Sequence, residues 1–230
     1  MPDLRPAAVL FDFDGTLVDT EPYWMRSEMD LLGAYHVPWS IEQAIDLCGT
    51  SKENSIEVLF AQMASHGVDV SHLDPEQFYD ELSQNVIDSI HKWGAPWLPG
   101  VQSLLIELAA SHVPCAVVSA SPANVLEAGV AAFPSGAISV VIDGQSTKAG
   151  KPEPDCYLLA AERLGVDITD CVVVEDTLAG TTAGLAAGAG VIAVPRAYSL
   201  ADREGMVVLP NLEGIDATRL FQLFTQVKRS

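Results

Sequence analysis

The sequence predicts an α/β protein: an open, mostly parallel sheet with helices on both faces and one all-helical insertion. Three observations carry this reading. Short apolar runs of strand length recur along the chain without polar alternation, as strands covered on both faces do. Segments with apolar residues three and four apart, the spacing of amphipathic helices, separate them. One long interval after the first run holds helical pattern alone. Strand and helix alternating in this way describe a Rossmann-like core, and the interval describes a cap domain set into it.

The first strand is read in "AAVLFDF", which runs straight into Asp12, Phe13, Asp14 and Gly15. From Val18 to Lys92 the pattern is helical: "EPYWMRSEMDLLGAY", then "SIEVLFAQMASHG" after the turn "GTSKEN", then "PEQFYDELSQNVIDSIHKW", which opens on the start signal Asp74-Pro75. "WGAPWLPG", dense in Pro and Gly, reads as the hinge by which the chain returns. Further strands follow in "PCAVVSA", "ISVVID", "CVVVED" and "GVIAVP", with "MVVLP" as a sixth, and helices in "VQSLLIELAASH" and "DCYLLAAERLG". The expected division is therefore 1–17 and 93–230 for the α/β core and 18–92 for the helical cap.

Composition excludes several classes. With 12 Lys and Arg against 31 Asp and Glu, the net charge of −19 repels nucleic acid and anionic membrane surfaces. The chain shows no signal-peptide order of residues, and no apolar run nears the ~20 residues of a membrane helix, so a soluble cytoplasmic protein is expected. Neither a heptad repeat nor a long apolar surface helix stands out, which predicts a monomer. The four cysteines lie apart without a CxxC pair, and the five histidines lack zinc-binding spacing.

In open parallel sheets ligands bind beyond the carboxyl ends of the strands. Those ends carry Asp12 and Asp14, Ser119 and Ser121, and Glu175 with Asp176, while Lys151 with Pro152 opens the helix before the fourth strand. Crowded carboxylates need a cation, and Asp12, Asp14 and Asp176 would give Mg²⁺ the all-oxygen ligation that hard cations favour. A carboxylate can attack phosphorus, and a second carboxyl two residues on can protonate the leaving alcohol and then deprotonate water. Ser119 and Lys151 would hold the remaining phosphoryl oxygens. A calcium loop beginning at Asp12 is ruled out, because Leu17 and Tyr23 stand where it needs Gly and Glu.

"DFDGTLVDT", the serine of "VVSAS", the lysine of "KPEPD" and the acidic pair of "VVVEDTLAG", in that order, resemble the four motifs of the haloacid dehalogenase-like hydrolases. The resemblance implies Asp12 as nucleophile, Asp14 as general acid and base, Ser119 and Lys151 as phosphate binders, and Glu175 with Asp176 serving Mg²⁺. It also implies that the helical insertion closes over the site. True dehalogenases of the family lack the second aspartate, so Asp14 favours phosphoryl transfer. β-Phosphoglucomutase-like members carry a histidine where Trp24 stands here, and "DTEPYWMRSEMDLLG" instead resembles phosphatases of 2-deoxyglucose 6-phosphate and hexitol phosphates. The expectation is a Mg²⁺-dependent phosphatase of small phosphorylated metabolites, sugar or polyol phosphates, with a mutase as the alternative. Substrate contacts are expected from Glu21 and Trp24 on the first cap helix, Lys52 in the loop "CGTSKENS", and Ser121 and Asn124 after the second strand.

Overall fold

The structure is a computed structural model that describes residues 4–196, 199–201 and 203–229. The ends of the expected division, residues 1–3 and 230, lie outside them. Six parallel strands, β1 (Ala8–Phe11), β2 (Cys115–Val118), β3 (Val140–Ile142), β4 (Cys171–Glu175), β5 (Gly190–Ala193) and β6 (Met206–Val208), form one sheet in the order 3-2-1-4-5-6. All six apolar runs read from the sequence are strands. The order in which successive strands are laid down reverses between β1 and β4, which pair in parallel from Ala8↔Cys171 to Phe11↔Val174. The crevice beyond that pair is where such a sheet receives ligands.

Side chains of successive strand residues point to opposite faces. Val9 and Phe11 therefore join one core with α5 (Val101–Ala110), α6 (Ala123–Val130) and α9 (Ala217–Val227), through Leu104, Leu126 and Leu220. Ala8 and Leu10 join a second core on the other face with α7 (Asp155–Leu164) and α8 (Leu178–Ala187), through Tyr157 and Ala183.

Between β1 and α5 the chain forms α1 (Glu21–Ala34), α2 (Ile41–Leu47), α3 (Lys52–Ser65) and α4 (Pro75–Trp93). These helices have a core of their own around Leu31, Leu59, Met63, Phe78 and Leu82. The long α4 serves both bodies, because Val86, Ile87 and Ile90 pack into the first sheet core. Asp74 caps α4 by accepting the backbone N–H of Glu76 at 2.9 Å.

The outgoing and returning segments run side by side. Val18 bridges Trp97, Asp19 N–H donates to the Pro96 carbonyl at 2.8 Å, and Leu98 N–H donates to Leu17 at 3.1 Å. "WGAPWLPG" is thus the return segment, as read. The turn reading of "GTSKEN" is corrected: α3 already starts at Lys52, with Ser51 as its cap. Lys151 likewise precedes its helix, lying in the turn before Pro154 and Asp155. Among the described residues no helix is long and apolar enough to cross a membrane.

Candidate active site

Asp12 follows β1 directly and is buried. Its Oδ1 accepts the Lys151 ammonium at 2.6 Å, and the same nitrogen donates to Glu175 Oε1 at 2.6 Å and to the Val118 carbonyl at 3.0 Å. One cation from the turn before α7 thus ties together the ends of β1, β2 and β4. Burial opposes its charge, yet Asp12 and Glu175 carry its pKa well above that of an ordinary lysine.

Glu175 has no exposed surface. Besides Lys151, its Oε1 accepts Tyr157 Oη at 3.2 Å, and Oε2 accepts the Thr177 N–H at 2.8 Å and Oγ1 at 2.9 Å. Four donors fill the four lone-pair sites of one carboxylate. Gly180 makes room for it, since a Cβ there would collide with the Glu175 carboxylate. Thr177 also caps α8.

Asp14 is turned the other way. It accepts the Thr20 hydroxyl, Ser119 Oγ at 3.1 Å and Ser121 Oγ at 2.5 Å. Ser119 Oγ also accepts the Ser121 N–H at 2.9 Å, so both predicted serines hold the second aspartate. Directly after Asp14, Gly15 adopts φ +84°, a left-handed conformation suited to glycine, and a Cβ there would strike the Asp176 carboxylate.

Asp12, Glu175 and Asp176 each bring a carboxylate oxygen within 4.8 Å of the others. Among the described residues the side-chain donor to Asp176 is Thr16 Oγ1, over a long 3.4 Å. Burial, with Glu175 next, pushes Asp176 up to about 8, and burial also raises Asp12 despite Lys151. Three buried acids against one ammonium leave negative charge uncompensated, and the donors are all oxygen. A hard divalent cation such as Mg²⁺ fits that set, with Asp12 and Asp176 keeping lone pairs for it.

The predicted substrate contacts are not gathered as closely. Glu21 begins α1, 3.7 Å from Arg196, with its pKa raised by burial. Trp24 packs against the Tyr79 ring at 6.1 Å, between the sheet core and the insertion core. Lys52 is bound within the insertion, at 2.5 Å from Glu76 and over the Tyr79 ring. Asn124 lies exposed at the second position of α6. A cavity of about 660 Å³ separates Cys48 and Gly49 of the insertion from Pro152, Thr177 and Leu178 of the core.

Sequence reasoning missed Thr20, Tyr157, Thr177 and Arg196. Thr20 and Thr177 stand within the quoted motifs and carried a signal as hydroxyls near carboxylates. Tyr157 reads as one more apolar helix residue. Arg196, forked onto Asp19 through two bonds of 2.8 Å, follows β5 with no motif of its own.

Comparison with known proteins adds to this geometry. The family profile described as haloacid dehalogenase-like hydrolase matches residues 9–194. Hexitol phosphatase A of Escherichia coli (strain K12) is 32% identical, over 94% of this chain and 96% of its own. A fructose-1-phosphate phosphatase of the same organism is 31% identical, over 80% of this chain and 94% of its own. Among solved structures, β-phosphoglucomutase from Clostridium difficile superposes with a TM-score of 0.81 at 21% identity, covering 98% of this chain and 100% of that one, a likeness of fold.

Proposed function

Because the chain belongs to the haloacid dehalogenase-like hydrolases and is a phosphoric monoester hydrolase, we propose that it hydrolyses sugar or polyol phosphates through an aspartyl-phosphate on Asp12, with Mg²⁺ as cofactor. The observation that carries this is the division of labour between two aspartates two residues apart. Asp12 is pinned at one oxygen by an ammonium, whereas the side chains that hold Asp14 among the described residues are hydroxyls.

Pinned at Oδ1, Asp12 keeps Oδ2 for attack on phosphorus. Asp14 gives its proton to the departing alkoxide, and the same carboxylate later takes a proton from the water that cleaves the acyl phosphate. Thr20, Ser119 and Ser121 orient it for both transfers. Lys151 fixes the nucleophile and offers positive charge to the phosphoryl oxygens, with Glu175 and Tyr157 holding it in place. Asp12 and Asp176 would hold Mg²⁺, which supplies positive charge between nucleophile and phosphate. The insertion from residue 18 to 92 acts as the cap that limits the entrance to small substrates and keeps bulk water out.

Hydrolysis is favoured over a mutase. Among the described residues no histidine contacts Asp14, and Trp24 is engaged with Tyr79. The test is phosphate release from a panel of hexose, hexitol and short-acid phosphates with Mg²⁺, beside the fate of β-glucose 1-phosphate. Release from hexose or hexitol phosphates, abolished by Asp12→Asn, supports the proposal. Conversion of β-glucose 1-phosphate to glucose 6-phosphate without release overturns it.

A further inference from the structure

We infer that Glu28 is a specificity-determining residue of the cap, whose carboxyl binds the hydroxyl-bearing end of the substrate and turns away substrates with a second anionic group. The inference rests on the phosphatase reading above and specifies the far end of its substrate.

Glu21, Trp24 and Glu28 stand at i, i+3 and i+7 on α1, so they share one helix face. At the near end of that face Glu21 feels Asp14 of the core, and Trp24 packs against the sheet core. The Cys48 thiol in the cavity wall feels Glu21 and Glu28 from the insertion and Asp14 and Asp176 from the core, and the Tyr79 hydroxyl feels both Asp14 and Glu28. Glu28 is only 5% exposed. One of its oxygens accepts Trp39 Nε1 at 2.8 Å, and the other has no partner among the described residues. None of the described buried side-chain oxygens is sealed off without a partner, so this second oxygen keeps some accessible surface.

A buried acid with one committed and one open oxygen, one turn beyond an aromatic face, has the chemistry that receives a polyol. Hydroxyls bond to the open oxygen while C–H groups lie against the indole. It is equally a barrier to anions. Glu21 and Glu28 are both acidic, and Lys52, the cap cation that could answer a second phosphate or a carboxylate, already lies 2.5 Å from Glu76. A monophosphate with an uncharged, hydroxylated remainder satisfies this wall in either protonation state of Glu28, whereas a bisphosphate or a phospho-acid meets opposed charge wherever Glu28 is ionised, above the pH near 7 to which burial raises its pKa.

The test compares kcat/KM for glucitol 6-phosphate, p-nitrophenyl phosphate and fructose 1,6-bisphosphate in the wild type, Glu28→Leu and Glu28→Gln, with each variant's Tm recorded. Glu28→Leu should lower the ratio of glucitol 6-phosphate to p-nitrophenyl phosphate by tenfold or more. Glu28→Gln keeps an acceptor for Trp39 and serves if the leucine variant fails to fold. It should raise the ratio of fructose 1,6-bisphosphate to glucitol 6-phosphate by a similar factor. Ratios at wild-type values, including equal losses on all three substrates, overturn the role of Glu28. If the wild type hydrolyses p-nitrophenyl phosphate but no hydroxylated monophosphate, the substrate class falls while the phosphatase stands. If it releases phosphate from nothing in the panel, the phosphatase reading falls as well.

Discussion

Lys151 reaches Asp12 at 2.6 Å with both side chains about nine-tenths buried. An ammonium so placed both steadies the fold and presents the nucleophile. Replacing it with methionine preserves length but leaves Asp12, Glu175 and Asp176 without an opposing charge. Breaking a buried pair from one side costs about 3–5 kcal/mol. Lys151→Met is expected to lower the urea midpoint accordingly and to remove phosphate release. Wild-type stability in this variant would contradict the arrangement.

Asp14 is expected to matter in proportion to how badly the leaving group needs a proton. General acid–base catalysis contributes roughly 10²–10⁴-fold. Asp14→Asn should therefore fall by that order on a hexitol phosphate. With p-nitrophenyl phosphate it should give a burst of p-nitrophenol equal to the enzyme, then slow turnover, because the acyl phosphate awaits its base. Stopped-flow absorbance checks this, and steady turnover without a burst would count against the assignment.

Glu28 gives stability a pH dependence of defined sign. Burial, only partly offset by Trp39, raises its pKa from 4.5 to about 7. The folded protein then binds more protons than the unfolded chain between those values. Its contribution is complete below pH 4.5 and is lost as pH rises through 7, a change of at most about 3 kcal/mol. Urea melts at pH 5 and pH 8 should differ more for the wild type than for Glu28→Gln. Equal differences would show that the carboxyl stays ionised in the fold.

Removal of divalent cations should stop turnover and also lower Tm, since an ion bound only by the folded state stabilises it by mass action. Mg²⁺ should restore both after EDTA. Asp176→Asn, which removes a carboxylate that Thr16 holds only over a long 3.4 Å, should abolish the Mg²⁺-dependent rise in Tm. A Tm insensitive to both ion and variant would argue against a cation at this edge.

The strands were legible because residues covered on both faces must be apolar throughout, and six such runs suffice to set a sheet. Their order was not, since nothing local distinguishes β4 beside β1 from other pairings. Of the insertion helices α2 escaped notice: with seven residues, two of them the 57% and 49% exposed Ile41 and Ile45, it is too short for its apolar spacing to stand out, although the Ser40–Gln43 capping box was there to be read. At the site, Asp12, Asp14, Ser119 and Asp176 could be read because each follows a strand end, and Lys151 because it stands with a proline in the turn before α7. Tyr157 and Arg196 could not, because their significance is a partner far away in sequence. Lys52 was read as a ligand for substrate, but its pairing with Glu76 depends on how α3 meets α4, which no spacing encodes.

The paired segments at Val18 and Trp97 have an evolutionary corollary. Two tethers lying side by side make the helical insertion a cassette: its length and internal packing can drift, or the whole unit be exchanged, while β1 and β2 keep their register. Such exchange is restrained by α4, whose lower half is rooted in the sheet core through Val86 and Ile90, and by α1, through Trp24 against the same core and Glu21 beside Arg196. The catalytic edge can then be inherited almost unchanged as the cassette above it diversifies, so that new substrates arise by replacing the lid instead of rebuilding the chemistry.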